Sequence, residues 1–146
     1  MKLEDQVTNL ELSKELKELG VKQESLFYWG YHGDCLMLMP GKDHWLEKDN
    51  GNFKTGEGMP YSAFTSSELG EIFEKCFDNF PKEWINDWSI FTTYCRRFTT
   101  FRYSAFLTNG KYDPKLIYKN SEDGVTEVDT KAKLLIKALK DKILTL

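Results

Sequence analysis

Histidine is scarce in this chain. Only His32 and His44 occur among 146 residues. A Ser or Cys nucleophile needs a neighbouring base, most often imidazole, so two closely placed histidines leave few ways to build one. There is no Gly-x-Ser-x-Gly elbow, no phosphate-binding P-loop and no Gly-x-Gly-x-x-Gly fingerprint. Cysteine is sparse too. Cys35, Cys76 and Cys95 are odd in number and widely spaced, which reads as reduced thiols rather than a disulfide framework. The only local metal-like cluster is His32-x-x-Cys35 with His44 downstream. It lacks the second ligand pair of a structural zinc site, so neither metal nor cofactor is expected. No apolar run approaches the roughly 18–20 residues of a membrane span. The opening residues are polar and acidic, without the apolar core of a signal peptide, so the expected location is the cytoplasm. A basic excess is also missing: net charge is −3, which gives no overall nucleic-acid signature.

The aromatics, by contrast, are plentiful, with 10 Phe, 7 Tyr and 4 Trp. Such side chains fill cores and are also enriched at interfaces. Charge is uneven along the chain. Residues 1–90 carry 9 Lys and Arg against 17 Asp and Glu; residues 91–146 carry 11 against 6. One part of the molecule is therefore expected to present a basic face.

Element signals follow in order. Asn9 is a good N-cap, and Leu12, Leu16 and Leu19 form one stripe that ends at Gly20, a residue suited to a left-handed stop. This predicts a helix over Leu10–Leu19. Leu26–Tyr31 and Cys35–Met39 flank the turn signal His32-Gly33-Asp34, which predicts a hairpin. A second short hairpin is expected through 43–55, around Asp49-Asn50-Gly51-Asn52. Thr65 and Glu68 have capping-box spacing, and Leu69, Ile72, Phe73, Cys76 and Phe77 make a helical face. Gly70 within that helix suggests close approach by a strand. Strands are expected over Trp88–Cys95 and Phe98–Leu107, with Arg96-Arg97 near the bend and Asn109-Gly110 as a turn. Tyr112–Tyr118 reads as an edge strand and 120–124 as a loop. Thr126 then starts the longest helix, striped by Val128, Ala132, Leu135, Leu139 and Ile143. The result is one α+β domain, three helices packed on an antiparallel sheet, in the order α-ββ-α-ββ(β)-α.

Three stretches carry a family resemblance. The segment Leu10-Glu11-Leu12-Ser13-Lys14-Glu15-Leu16-Lys17-Glu18-Leu19-Gly20-Val21-Lys22-Gln23-Glu24-Ser25-Leu26-Phe27-Tyr28-Trp29, the segment Ala63-Phe64-Thr65-Ser66-Ser67-Glu68-Leu69-Gly70-Glu71, and the helix from Thr126 to Ile136 together resemble a family of small proteins encoded by phages, prophages and related mobile elements. Residues 78–119 match no pattern of that family. The family has no assigned activity, so the resemblance implies a setting, the bacterial cell, and no catalytic residue.

Three readings of function follow. The first is a non-enzymatic binding module contacting a host or phage macromolecule, with protein as the expected partner, through exposed Trp29, Tyr31, Trp45 and Tyr61. The second is a nucleic-acid or nucleotide binder using Arg96, Arg97 and Arg102 with Lys133 and Lys137 of the last helix. In that strand Phe98, Thr100, Arg102 and Ser104 alternate to one face, and Arg97, Thr99, Phe101 and Tyr103 to the other, which splits the rings. The third is a small enzyme, which requires a deep pocket with perturbed titrating groups.

Overall fold

A computed structural model describes residues 2–32, 34–41, 60–79, 89–97, 100–108, 118–123 and 126–146; for residue 32 and for the strands between 89 and 123 only the backbone is described. The expected hairpin through 43–55, the Asn109-Gly110 turn and Trp45 lie outside these residues. After a short 3-10 turn (Leu3–Gln6) come α1 (Leu10–Glu18), β1 (Phe27–His32), β2 (Cys35–Pro40), β3 (Tyr61–Ala63), α2 (Ser66–Asp78), β4 (Ser89–Arg97), β5 (Thr100–Thr108), β6 (Tyr118–Asp123) and α3 (Glu127–Lys140).

The class is α+β and every described strand pair is antiparallel. The strands divide into two three-stranded sheets, β2-β1-β3 and β4-β5-β6, where the sequence suggests one. Two local points go beyond the sequence signals. Tyr61–Ala63, just ahead of the Thr65–Glu68 box, pairs with β1. The polar stretch 118–123, expected mainly as loop, pairs with β5 from Leu107↔Tyr118 to Arg102↔Asp123. Pairing with a neighbouring strand overrides its weak intrinsic strand propensity.

The helices start where local chemistry dictates. Asn9 accepts from the Leu12 N–H at 3.0 Å. Thr65 and Glu68 form the reciprocal capping box, and Thr126 accepts from the Asp129 N–H at 3.2 Å. Gly20 takes φ +89°, where a side chain is strained. Gly70 differs from expectation: a Cβ built there meets no atom within 4 Å, so among the described residues no strand approaches it.

One core gathers Leu12 and Leu16 of α1, Phe64, Leu69, Phe73, Cys76 and Phe77 on or beside α2, and seven α3-region residues from Val128 to Leu144. α3 buries more than the expected stripe; Leu134, Ile136 and Ala138 are buried along with Leu135. It packs against α1, α2, β5 and β6. A smaller cluster holds Val7, Trp29 and Ala63 between the N-terminal segment and the first sheet.

Candidate functional site

The link from α1 to β1 crosses α2 and leaves a groove. Its volume is about 420 Å³, and it is lined by residues of the link, by α2 and by Leu146. Val21, Phe64 and Cys76 are buried and form its apolar base, while Leu26 and Leu146 stand at its lip, 66% and 53% exposed. Lys22, Glu24, Glu71 and Lys75 add charges of both signs around it.

Glu68 holds the lip in place. Its carboxylate accepts from the Thr65 N–H at 2.7 Å as part of the helix cap. The same group accepts from the Leu26 N–H at 2.8 Å and from Ser25 Oγ at 3.1 Å. Ser25 Oγ shares its one proton between Glu68 and the Ala63 carbonyl, 2.9 Å away. A capping residue thus fixes the backbone of Leu26 and leaves its side chain outside. With three donors on its two oxygens, Glu68 acts here as an anchor. Burial pushes the Cys76 thiol from 9.0 up to about 11, which suppresses the thiolate that would act as a nucleophile.

A second cleft, about 530 Å³, lies where the first turns of α2 and α3 meet the N-terminal segment and Phe27. Lys131 Nζ donates to Ser66 Oγ at 2.6 Å, Ser66 Oγ donates to Glu127 Oε1 at 3.3 Å, and Lys131 pairs with Glu127 at 3.3 Å. A serine beside a lysine resembles a nucleophile and its base. An ammonium paired with a carboxylate offers no lone pair, so this trio braces the two helix starts.

Trp29 requires a correction. It is not an exposed partner residue: it is only 8% exposed, and its indole N–H donates to the Thr8 carbonyl at 2.7 Å. The N-terminal segment covers the ring and supplies the acceptor that a buried indole needs. Tyr31 is half-buried, opposite Leu36. Tyr61 is half-buried beneath Lys14 Nζ and Lys17 Nζ, 5.8 and 5.0 Å from its ring centroid. Those three residues therefore do not form one open aromatic surface.

The arginines of the second sheet are placed by register. Arg97 pairs with Thr100, Arg96 with Phe101 and Cys95 with Arg102. Paired residues share a face of an antiparallel ladder, so Arg97 and Arg102 share one face and Arg96 and Phe101 the other. Simple alternation along the sequence puts Arg97 with Phe101, whereas the observed register places them on opposite faces. Lys133 and Lys137 lie on α3, half-buried and exposed respectively, and each already interacts within the chain. Among the described residues no group of three or more His, Cys, Asp and Glu is placed to hold a metal ion, and no helix is long and apolar enough to cross a membrane.

The groove itself is invisible in the sequence. It is assembled from residues 20–26, 64–76 and 146, and its one local signal, the Thr65–Glu68 box, announces a helix cap and says nothing of Leu26. Comparison of the chain with protein-family models, with curated proteins and with solved structures finds no match.

Proposed function

We propose that the protein is a non-enzymatic binding module of the phage or mobile-element type, acting in the bacterial cell, and that a partner protein docks an apolar side chain into the groove beside Leu26. The observation that carries this reading is the meeting of the two most exposed large apolar side chains among the described residues, Leu26 and Leu146, at one groove with an apolar base. Exposed apolar area around a concavity is where partner anchors bury. The mixed charges of Lys22, Glu24, Glu71 and Lys75 suit a polypeptide better than a phosphate backbone, which is held by cations.

The test is comparative capture. The immobilised protein is exposed to bacterial lysate beside Leu26→Glu, Ile72→Glu and, as a control away from the groove, Leu3→Glu. Partners retained by the parent and by Leu3→Glu but absent from both groove variants are expected, with all folds checked by circular dichroism. Identical captures by all four proteins would remove the groove from the binding surface.

The second reading, nucleic-acid binding, is favoured by the register that sets Arg97 and Arg102 on one face. Its mark is oligonucleotide binding that weakens steeply with salt and is lost in Arg97→Ala/Arg102→Ala. Absence of binding at low salt removes it.

A further inference from the structure

The two edges of the first sheet are treated differently. The β3 edge is closed by polar partners. The Ser62 N–H donates to Gln23 Oε1 at 3.0 Å, the Thr8 N–H donates to the Phe64 carbonyl at 2.8 Å, and Val7 bridges Thr65. Among the described residues nothing covers the β2 edge in this way. The Gly41 N–H donates to the Leu26 carbonyl at 2.8 Å. In an antiparallel ladder bonding alternates, so residues 35, 37 and 39 also bond to β1, and Leu36, Leu38 and Pro40 turn their backbone groups outward. Pro40 has no N–H to offer, as suits an edge position. From Cys35 to Pro40 there is no charged residue, although charge is a common guard against edge pairing. Leu36 and Met37 are 41% and 39% exposed.

We propose that β2 pairs with β2 of a second copy of this chain, antiparallel and centred on Met37, joining the two copies' first sheets into one. The pattern around Met37 is palindromic: Leu36-Met37-Leu38 reads the same in both directions. In this register Leu36 faces Leu38 of the second copy, and Met37 faces its own counterpart. Each outward N–H, from Leu36 and Leu38, then meets an outward carbonyl. Centring on Leu38 would set Pro40 opposite Leu36, bringing the residue without a donor inside the paired leucines, whereas centring on Met37 keeps it at the end of the pairing. No like charges meet across the seam, and the side chains pair leucine with leucine on one face and methionine with methionine on the other. The palindrome is what selects a second copy over a foreign strand. This pairing is independent of the groove beside Leu26.

The experiment combines sedimentation with disulfide trapping, both in a Cys35→Ser background. Residues on the two-fold axis form a non-hydrogen-bonded pair with Cα atoms about 4.5 Å apart, within disulfide reach. Met37→Cys is therefore expected to cross-link to a reducible dimer, and Leu36→Cys, two residues out of register with its own copy, is not. By sedimentation the background protein is expected as a dimer, and Met37→Lys, which sets two like charges directly opposite, as a monomer of unchanged circular dichroism. A monomer in the background protein at high concentration overturns the proposal. So does a dimer that Met37→Lys leaves intact, or cross-linking at Leu36→Cys equal to that at Met37→Cys.

Discussion

Thr8 meets three elements at once. Its N–H donates to the Phe64 carbonyl, its Oγ1 accepts from the Phe64 N–H at 3.0 Å, and its carbonyl accepts from the Trp29 indole. The side chain also shares a hydrogen bond with Ser13 Oγ at 2.8 Å. Every one of these partners lies at least five residues away, so none of them follows from reading the segment around Thr8 alone. Cys76 shows the opposite case, a residue whose position on a helical face is plain from spacing. Its 1% exposure has a consequence in titration. The folded thiol holds its proton up to about pH 11, while the unfolded thiol loses its own near 9.0. Above the lower value the unfolded state binds fewer protons, so stability falls as pH rises. The contribution of this thiol is full below about pH 9 and declines towards pH 11. Denaturant melts of the parent and Cys76→Ala are expected to show this component of the alkaline decline only in the parent.

Among the elements, the helices were the most legible and the sheets the least. A cap needs one side chain and one N–H two or three residues away, so Asn9, Thr65 and Thr126 could be read directly. The β1–β2 hairpin was equally local. Strand 118–123 was not, because β5 draws a polar segment into its ladder, and β3 was not, because three residues of strand depend on β1 for their bonds. The burial of Trp29 and the lip of the groove failed for the same reason: each depends on a partner far off in sequence. Gly70 yields a prediction at this scale. It lies within α2 with open space where a side chain would sit, and glycine there costs up to ~1 kcal/mol relative to alanine. Gly70→Ala is expected to raise the free energy of unfolding by up to about 1 kcal/mol, measured by chemical denaturation. A loss of stability would mean that the position is crowded.

Across the molecule, α3 links the other two helices to the second sheet. It touches α1, α2, β5 and β6, and Asp129 in its first turn accepts from the Asn9 N–H at 3.1 Å and from Asn9 Nδ2 at 3.0 Å. Lys140 at its far end pairs with Glu15 of α1. Elements that share one buried helix are expected to lose their structure together. Thermal unfolding followed by tryptophan fluorescence and by far-ultraviolet circular dichroism is expected to give coincident curves. Separate midpoints would divide the chain into two folding units and overturn the one-domain expectation.

The position of α3 along the chain also governs how the protein is made. Ribosomes deliver residues in order, and α1 and α2 emerge well before the helix that covers their leucine and phenylalanine faces. Until residues near Ala138 have left the exit tunnel, those faces have no permanent cover. The part of the core that α3 covers therefore closes only after α1 and α2 have been made, and until then the nascent chain presents apolar surface. A message that stalls before the codons for α3 would release a chain without its central helix, marked for proteolysis.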